Sequence, residues 1–104
     1  MIIPNKFVHH VYFWLNNAES SDDRAALIQG LQALATMPTI AAHHIATPAG
    51  TSRGVIDSSY AVSWLCLFDS AEAEEIYQSH PTHLKFIADC SHLWSKVVVY
   101  DSVS

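Results

Sequence analysis

Cations, glycines and cysteines are all scarce in this chain of 104 residues, which holds five Lys and Arg, three Gly and two Cys and is only 14% charged. Five basic against ten acidic residues, a formal net charge of −5, leave no cluster of cations to neutralise a phosphate backbone, which argues against nucleic acid as a partner. No glycine-rich phosphate loop, Gly-x-Ser-x-Gly elbow or Cys-x-x-Cys pair occurs, so nucleotide-dependent and serine-hydrolase functions fall away. Cys66 and Cys90 lack metal-ligand spacing, and Cys66 lies in an apolar run where a free thiol behaves as a small hydrophobe. That usage points to a reducing, cytoplasmic setting. No apolar run approaches the roughly 18 residues of a membrane span, and Met1 to Phe7 lacks the basic and apolar regions of a signal peptide. A cytoplasmic protein with no membrane partner is the expectation.

What is abundant is apolar surface. Half the residues are hydrophobic, more than a small domain with so few charges can keep in its own interior, so part of that surface is expected to be buried against a second copy. One domain over residues 1–104, assembled as a homodimer, is the simplest organisation.

Phe7 to Leu15 is rich in β-branched and aromatic residues and ends at Asn16 and Asn17, which predicts a first strand. Ser20 followed by Asp23 resembles a capping box, and Leu27, Ile28, Leu31, Leu34 and Ala35 repeat at helical spacing, predicting a helix over about 22–35. Thr39 to Thr47 reads as a second strand and Ser59 to Phe68 as a central third, with a Gly- and Pro-bearing loop between them. Asp69 and Ser70 offer a cap to a short helix whose apolar face would be Ala73, Ile76 and Tyr77. A second helix, Thr82 to about His92, would carry Leu84, Ile87, Ala88 and Ser91 on one side, and Lys96 to Tyr100 makes a last strand. This order folds as a ferredoxin-like α+β layer, a four-stranded antiparallel sheet with helices on one face. Two such sheets packed through their bare faces would form a dimeric α+β barrel.

The chemistry-bearing run is Tyr77, Gln78, Ser79, His80, Pro81, Thr82, His83. Pro81 disfavours a helical conformation at His80 and suits the first position of a new helix, so a helix break is expected there, with Tyr77 and His83 on consecutive elements. A phenol and an imidazole so placed could share a ligand oxygen. His83 could equally donate to a backbone carbonyl and merely fix the bend. His9 and His10 point to opposite faces of the first strand, as do His43 and His44 on the second, where one is expected to be exposed or at a dimer seam. His80 and His83 lie three apart, but no His-Glu-x-x-His pattern completes them, although His9 or His92 could do so in space; no metal and no other cofactor is expected.

Three segments together resemble the stress-responsive A/B barrel, or Dabb, family of small dimeric α+β barrels. They are the His-led alternating strand from His9 to Leu15, with Trp14 where a lysine is common; Tyr77 followed by His80, Pro81 and His83; and the closing run from Trp94 through Lys96 and Val97–Val99 to Tyr100 and Asp101. The resemblance spans roughly 7–101. It implies, from a plant relative that closes a polyketide ring by aldol condensation, that Tyr77 and His83 are the catalytic pair. It also implies a ligand cavity between sheet and helices lined by His9, Val11, Phe13 and Trp94. A histidine that the plant relative has on the third strand is replaced by Val62, implying a drier pocket on that wall. The functions that follow are an enzyme acting on a small apolar carbonyl compound by proton transfer, or a non-catalytic, stress-responsive dimer that binds a small hydrophobic ligand. An oxygen-using monooxygenase is suggested only by other dimeric α+β barrels.

Overall fold

The fold grows from one strand that is apolar on both faces. In the computed structural model, which describes residues 1–3 and 5–104, Phe7–Leu15 (β1) runs up the middle of a four-stranded antiparallel sheet of order β2-β3-β1-β4. Its partners are Val62–Phe68 (β3) on one side and Trp94–Val103 (β4) on the other, with Ala42–Ala46 (β2) beyond β3. The helices Ser21–Leu34 (α1), Ala71–Ser79 (α2) and Pro81–Cys90 (α3), followed by a 3-10 turn at Ser91–Leu93, make the second layer. This is the ferredoxin-like α+β arrangement that the element order predicts.

Each helix starts where its sequence supplies a cap. The Ser20 hydroxyl accepts from the Asp23 N–H at 3.0 Å and the Ser70 hydroxyl from the Ala73 N–H at 3.1 Å, satisfying donors that a helix start leaves unpaired. His80 stands between α2 and α3 in an extended conformation, ψ 140°, and its Nδ1 accepts from the Thr82 N–H at 3.1 Å. The Pro81 ring occupies the first helical position, where a missing N–H costs nothing.

The strand limits differ from expectation for local reasons. Ile40 N–H donates to the Met37 carbonyl, closing a turn after α1 that delays β2 to Ala42. The Asp57 carboxylate accepts from the Ser59 N–H and hydroxyl, holding Ser59 out of the ladder so that β3 begins at Val62. Conversely β4 reaches from Trp94 to Val103 because β1 offers it a partner along its whole length, from Leu15 opposite Trp94 to Phe7 opposite Val103.

The stripe of Leu84 and Ile87 is not the face that α3 turns to the core. Leu84 is 56% exposed and Ile87 38%, while Phe86 and Cys90 are buried. Starting the helix at Pro81 turns His83, Phe86 and Cys90 toward the sheet and α1, and the larger Phe86 takes the interior place. On α2, Tyr77 is buried as predicted but Ile76 is 54% exposed. The core lies between the layers, where Val11, Phe13, Val62, Trp64 and Phe68 from the sheet meet Leu27, Leu31, Leu34, Tyr77 and Phe86 from the helices. No helix among the described residues is long and apolar enough to cross a membrane.

Candidate functional site

Alternation along the strands sorts the histidines. On β1, His9, Val11, Phe13 and Leu15 point to the helices, and Val8, His10, Tyr12 and Trp14 to the bare face. His10 there meets the Ser63 hydroxyl at 2.8 Å and stacks on Tyr12, and burial, with His44 and His9, holds its imidazole below the usual range. His43 and His44 are both exposed, His43 beside Trp64 and His44 on the bare side. His80 spends its Nδ1 on the α3 cap, which makes it part of the bend.

Between β1, β4 and the α2–α3 corner lies a cavity of about 170 Å³. His9, Val11, Phe13, Tyr77, His83 and Trp94, six residues singled out in the sequence, all line it. Val62 does not. It faces Phe13 across the ladder and is wholly enclosed in the core, so the third-strand wall of the cavity is Trp64, the next residue on the same face. A reading of β3 by its period of two would have found Trp64 once Val62 was assigned inward. Gln78, Phe86, Ile87, Val97 and Val99 complete the lining. Trp94 is held by aromatic contacts, 4.9 Å between centroids to Phe13 and 5.7 Å to Phe86, which fix one end of the space.

The polar groups converge on Tyr77. Its ring centre is 4.6 Å from that of His83 and 5.7 Å from that of His9. The Trp64 indole Nε1 donates to the Tyr77 hydroxyl at 3.2 Å, and the Cys66 sulfur is the phenol's other hydrogen-bonding neighbour. Burial pushes the Tyr77 phenol well above its ordinary range, and the Cys66 thiol and Glu74 carboxylate act the same way against the Trp64 N–H, so the phenol stays protonated. Burial also drives the Cys66 thiol up, which makes it an inert core residue. His83 Nδ1 is buried and has no hydrogen-bond partner among the described residues. Burial lowers the His83 pKa, opposed by a hydrogen bond from the ring to the Gln78 backbone carbonyl, so the ring is neutral at pH 7.

His9 is buried and held from the other side. Its Nδ1 lies 2.7 Å from Asp101 Oδ1, on the residue directly opposite in β4, and 3.9 Å from Glu74 Oε1 on α2. Neither carboxylate was among the candidate site residues. Asp101 is legible from the β1–β4 register, whereas Glu74 looked like an ordinary acidic residue at a helix start.

A larger cleft of about 350 Å³ opens on the bare face among Tyr12, Trp14, Asp57, Tyr60, Lys96 and Tyr100. Lys96 lies over the Trp14 ring, 4.6 Å from its centre, and the lining has no buried unpaired acid or base. The smaller cavity is therefore the better candidate for chemistry, because that is where buried titratable groups meet.

The model of the Stress Responsive A/B Barrel Domain matches residues 7–104. No curated protein matches in sequence. Among solved structures, a dimeric ferredoxin-like protein from Thermobifida fusca superposes with a TM-score of 0.79 at 19% identity, covering 100% of this chain and 95% of its own. A Dabb family protein with a ferredoxin-like fold from Mesorhizobium loti gives 0.77 at 22%, covering 95% and 96%. The hydroxynitrile lyase from Passiflora edulis gives 0.79 at 17%, covering 98% and 95%. At these identities the likeness is one of fold.

Proposed function

The chain belongs to the stress-responsive A/B barrel domain family, and from that premise we propose that it binds a small apolar carbonyl compound in the cavity between sheet and helices and moves a proton on it. The observation that carries this reading is the His83 Nδ1, buried without a partner at the wall of a cavity beside a protonated phenol. A buried polar atom left unpaired costs about 1–3 kcal/mol, a cost that a bound ligand would remove. In the proposed reaction neutral His83 takes a proton from the carbon or oxygen next to the carbonyl. Tyr77 donates a hydrogen bond to the oxyanion that develops, turning its proton from the Cys66 sulfur. Trp64 supports the phenol from behind.

The size of the space bounds the substrate. A dry engineered cavity of about 150 Å³ takes up benzene, so the 170 Å³ here, open to solvent on one side, suits a ligand body of about that size. Its walls are chiefly aromatic and aliphatic, which favours an apolar body with one oxygen.

The same proposal includes a homodimer. The sheet face away from the helices presents Val8, Tyr12, Trp14, Leu65, Leu67, Val98 and Tyr100 with no helix over it among the described residues, and Tyr100 is 66% exposed. Pairing these faces would bury them, and the Thermobifida fusca protein of the same fold is dimeric. Light scattering at micromolar concentration tests it; a stable monomer rules it out.

Native mass spectrometry of the purified chain tests the ligand. A small co-purified compound that is lost in both Tyr77→Phe and His83→Ala supports the site, whereas a compound retained equally by both variants places it elsewhere. If the reaction is proton transfer, turnover of that compound should fall roughly 10²- to 10⁴-fold in His83→Ala.

A further inference from the structure

Beside the cavity, three metal-ligating side chains from three separate elements meet at one point. His9 comes from β1, Asp101 from β4 directly across the ladder, and Glu74 from α2 one turn before Tyr77. One ligand atom of each lies within 4.8 Å of the other two, with His9 Nδ1 2.7 Å from Asp101 Oδ1 and 3.9 Å from Glu74 Oε1. We propose that His9, Glu74 and Asp101 form a binding site for one divalent transition-metal cation of the zinc or manganese class.

The charge balance argues for a cation. Two carboxylates face one imidazole, and the Glu74 side chain is only 15% exposed. Neither carboxylate is paired with a lysine or arginine among the described residues, where the close Lys pairs are Lys6 with Asp69 and Lys85 with Asp89. A proton on His9 would supply one positive charge against two negative ones; a dication supplies both.

Geometry argues the same way. Bonds of 2.0–2.2 Å put the ligands of a tetrahedral ion about 3.4 Å apart, so the 2.7 Å separation must widen by about 0.7 Å and the 3.9 Å one close by about 0.5 Å, shifts within reach of small side-chain rotations. Mixed imidazole and carboxylate donors select a borderline ion over calcium, which takes oxygen alone. The outer shell is present too. Gln78 Nε2 donates to Glu74 Oε1 at 2.7 Å, the kind of second hydrogen bond that orients a ligating carboxylate. Asp101, with its side chain 43% exposed, gives the ion a path from solvent. The His80 and His83 pair weighed from sequence is not this site, since His80 Nδ1 is committed to the Thr82 N–H.

This inference is independent of the proposed proton transfer at Tyr77 and His83. Its test is calorimetric titration of the chelator-stripped protein with MnCl2 and with ZnCl2, on the wild type and on the near-isosteric Glu74→Gln and Asp101→Asn variants, with circular dichroism to verify that each is folded. The expected result is one site per chain, weakened at least tenfold in both variants, and an ion-dependent rise in melting temperature that the variants lose. A wild type that binds neither ion, or binds them with the same affinity as both variants, overturns the proposal. Zinc binding that disappears only in His43→Ala with His44→Ala would assign it to the exposed β2 histidines and overturn it as well.

Discussion

The Trp64 indole N–H donates to the Tyr77 hydroxyl at 3.2 Å, joining the central part of β3 to the last turn of α2 through the core. Both residues are almost fully buried, so neither end of this bond has water as an alternative partner. The consequence is that Tyr77→Phe removes more than a hydroxyl. It strands the Trp64 N–H, and urea unfolding should show a loss of about 1–3 kcal/mol. Trp64→Phe with Tyr77→Phe removes donor and acceptor together, so the double variant should be less destabilised than the sum of the singles by about 1 kcal/mol. Strict additivity would mean the bond contributes nothing.

His83 gives the site a pH signature. Its folded-state pKa lies below the unfolded value of about 6.5 because burial penalises the charged ring. Above that pH both states hold it neutral and the group contributes no pH dependence. As pH falls from about 6.5 toward the lower folded value, the unfolded chain takes up the proton first, so stability drops with falling pH. His10 is displaced in the same direction, so the wild type carries both contributions. His83→Gln should flatten the stability profile below about pH 6.5 while leaving the His10 share in place. Profiles of equal slope for wild type and variant would refute a buried neutral His83.

How much of this was legible without coordinates depends on whether the cause was local. Ser20, Ser70 and the His80-Pro81 break act on the next few residues, and they appear where the sequence placed them. Tyr77, His83, His9, Val11, Phe13 and Trp94 meet at one cavity because alternation on β1 and the α2–α3 corner fix their directions. Val62 lies in the core beyond the cavity lining, since period two identifies a face but not how far along it the cavity extends. Leu84 with Ile87 and Phe86 with Cys90 both recur at helical spacing, so α3 carries two stripes. The choice is made by a groove on α1 that no reading of α3 alone contains. Glu74 became interesting only when the fold carried it to His9, more than sixty residues away in sequence.

The histidine at the helix junction can be separated from the one in the cavity. His80 accepts from the Thr82 N–H and so plays the part that Ser or Asn plays at other helix starts. His80→Ala should cost about 0.5–2 kcal/mol, and His80→Asn, which restores an acceptor of similar reach, should recover most of it. In a domain of this size, thermal unfolding would register the loss as about 4–8 °C per kcal/mol. Ligand retention should be unaffected in His80→Asn. An asparagine variant as unstable as the alanine one would show that the ring contributes packing and not the cap.

Gly30 sits in the interior of α1, where glycine is the poorer helix former by about 1 kcal/mol relative to alanine. On propensity alone Gly30→Ala should stabilise the protein. The tertiary contact reverses the sign: a Cβ at this position would lie 2.5 Å from Cys90 Sγ and 3.3 Å from the Phe86 ring, both buried on α3. The thiol has little room to retreat, and overpacking a core costs about 1–3 kcal/mol, which exceeds the propensity gain. Denaturant unfolding should therefore find Gly30→Ala less stable than wild type by up to about 2 kcal/mol. Adding Cys90→Ala removes the obstructing sulfur, so the pair should be more stable than Gly30→Ala alone. A stabilised Gly30→Ala single variant would show that α1 and α3 can separate freely, and α3, which carries His83 and Phe86 to the cavity, would then not be held by that contact.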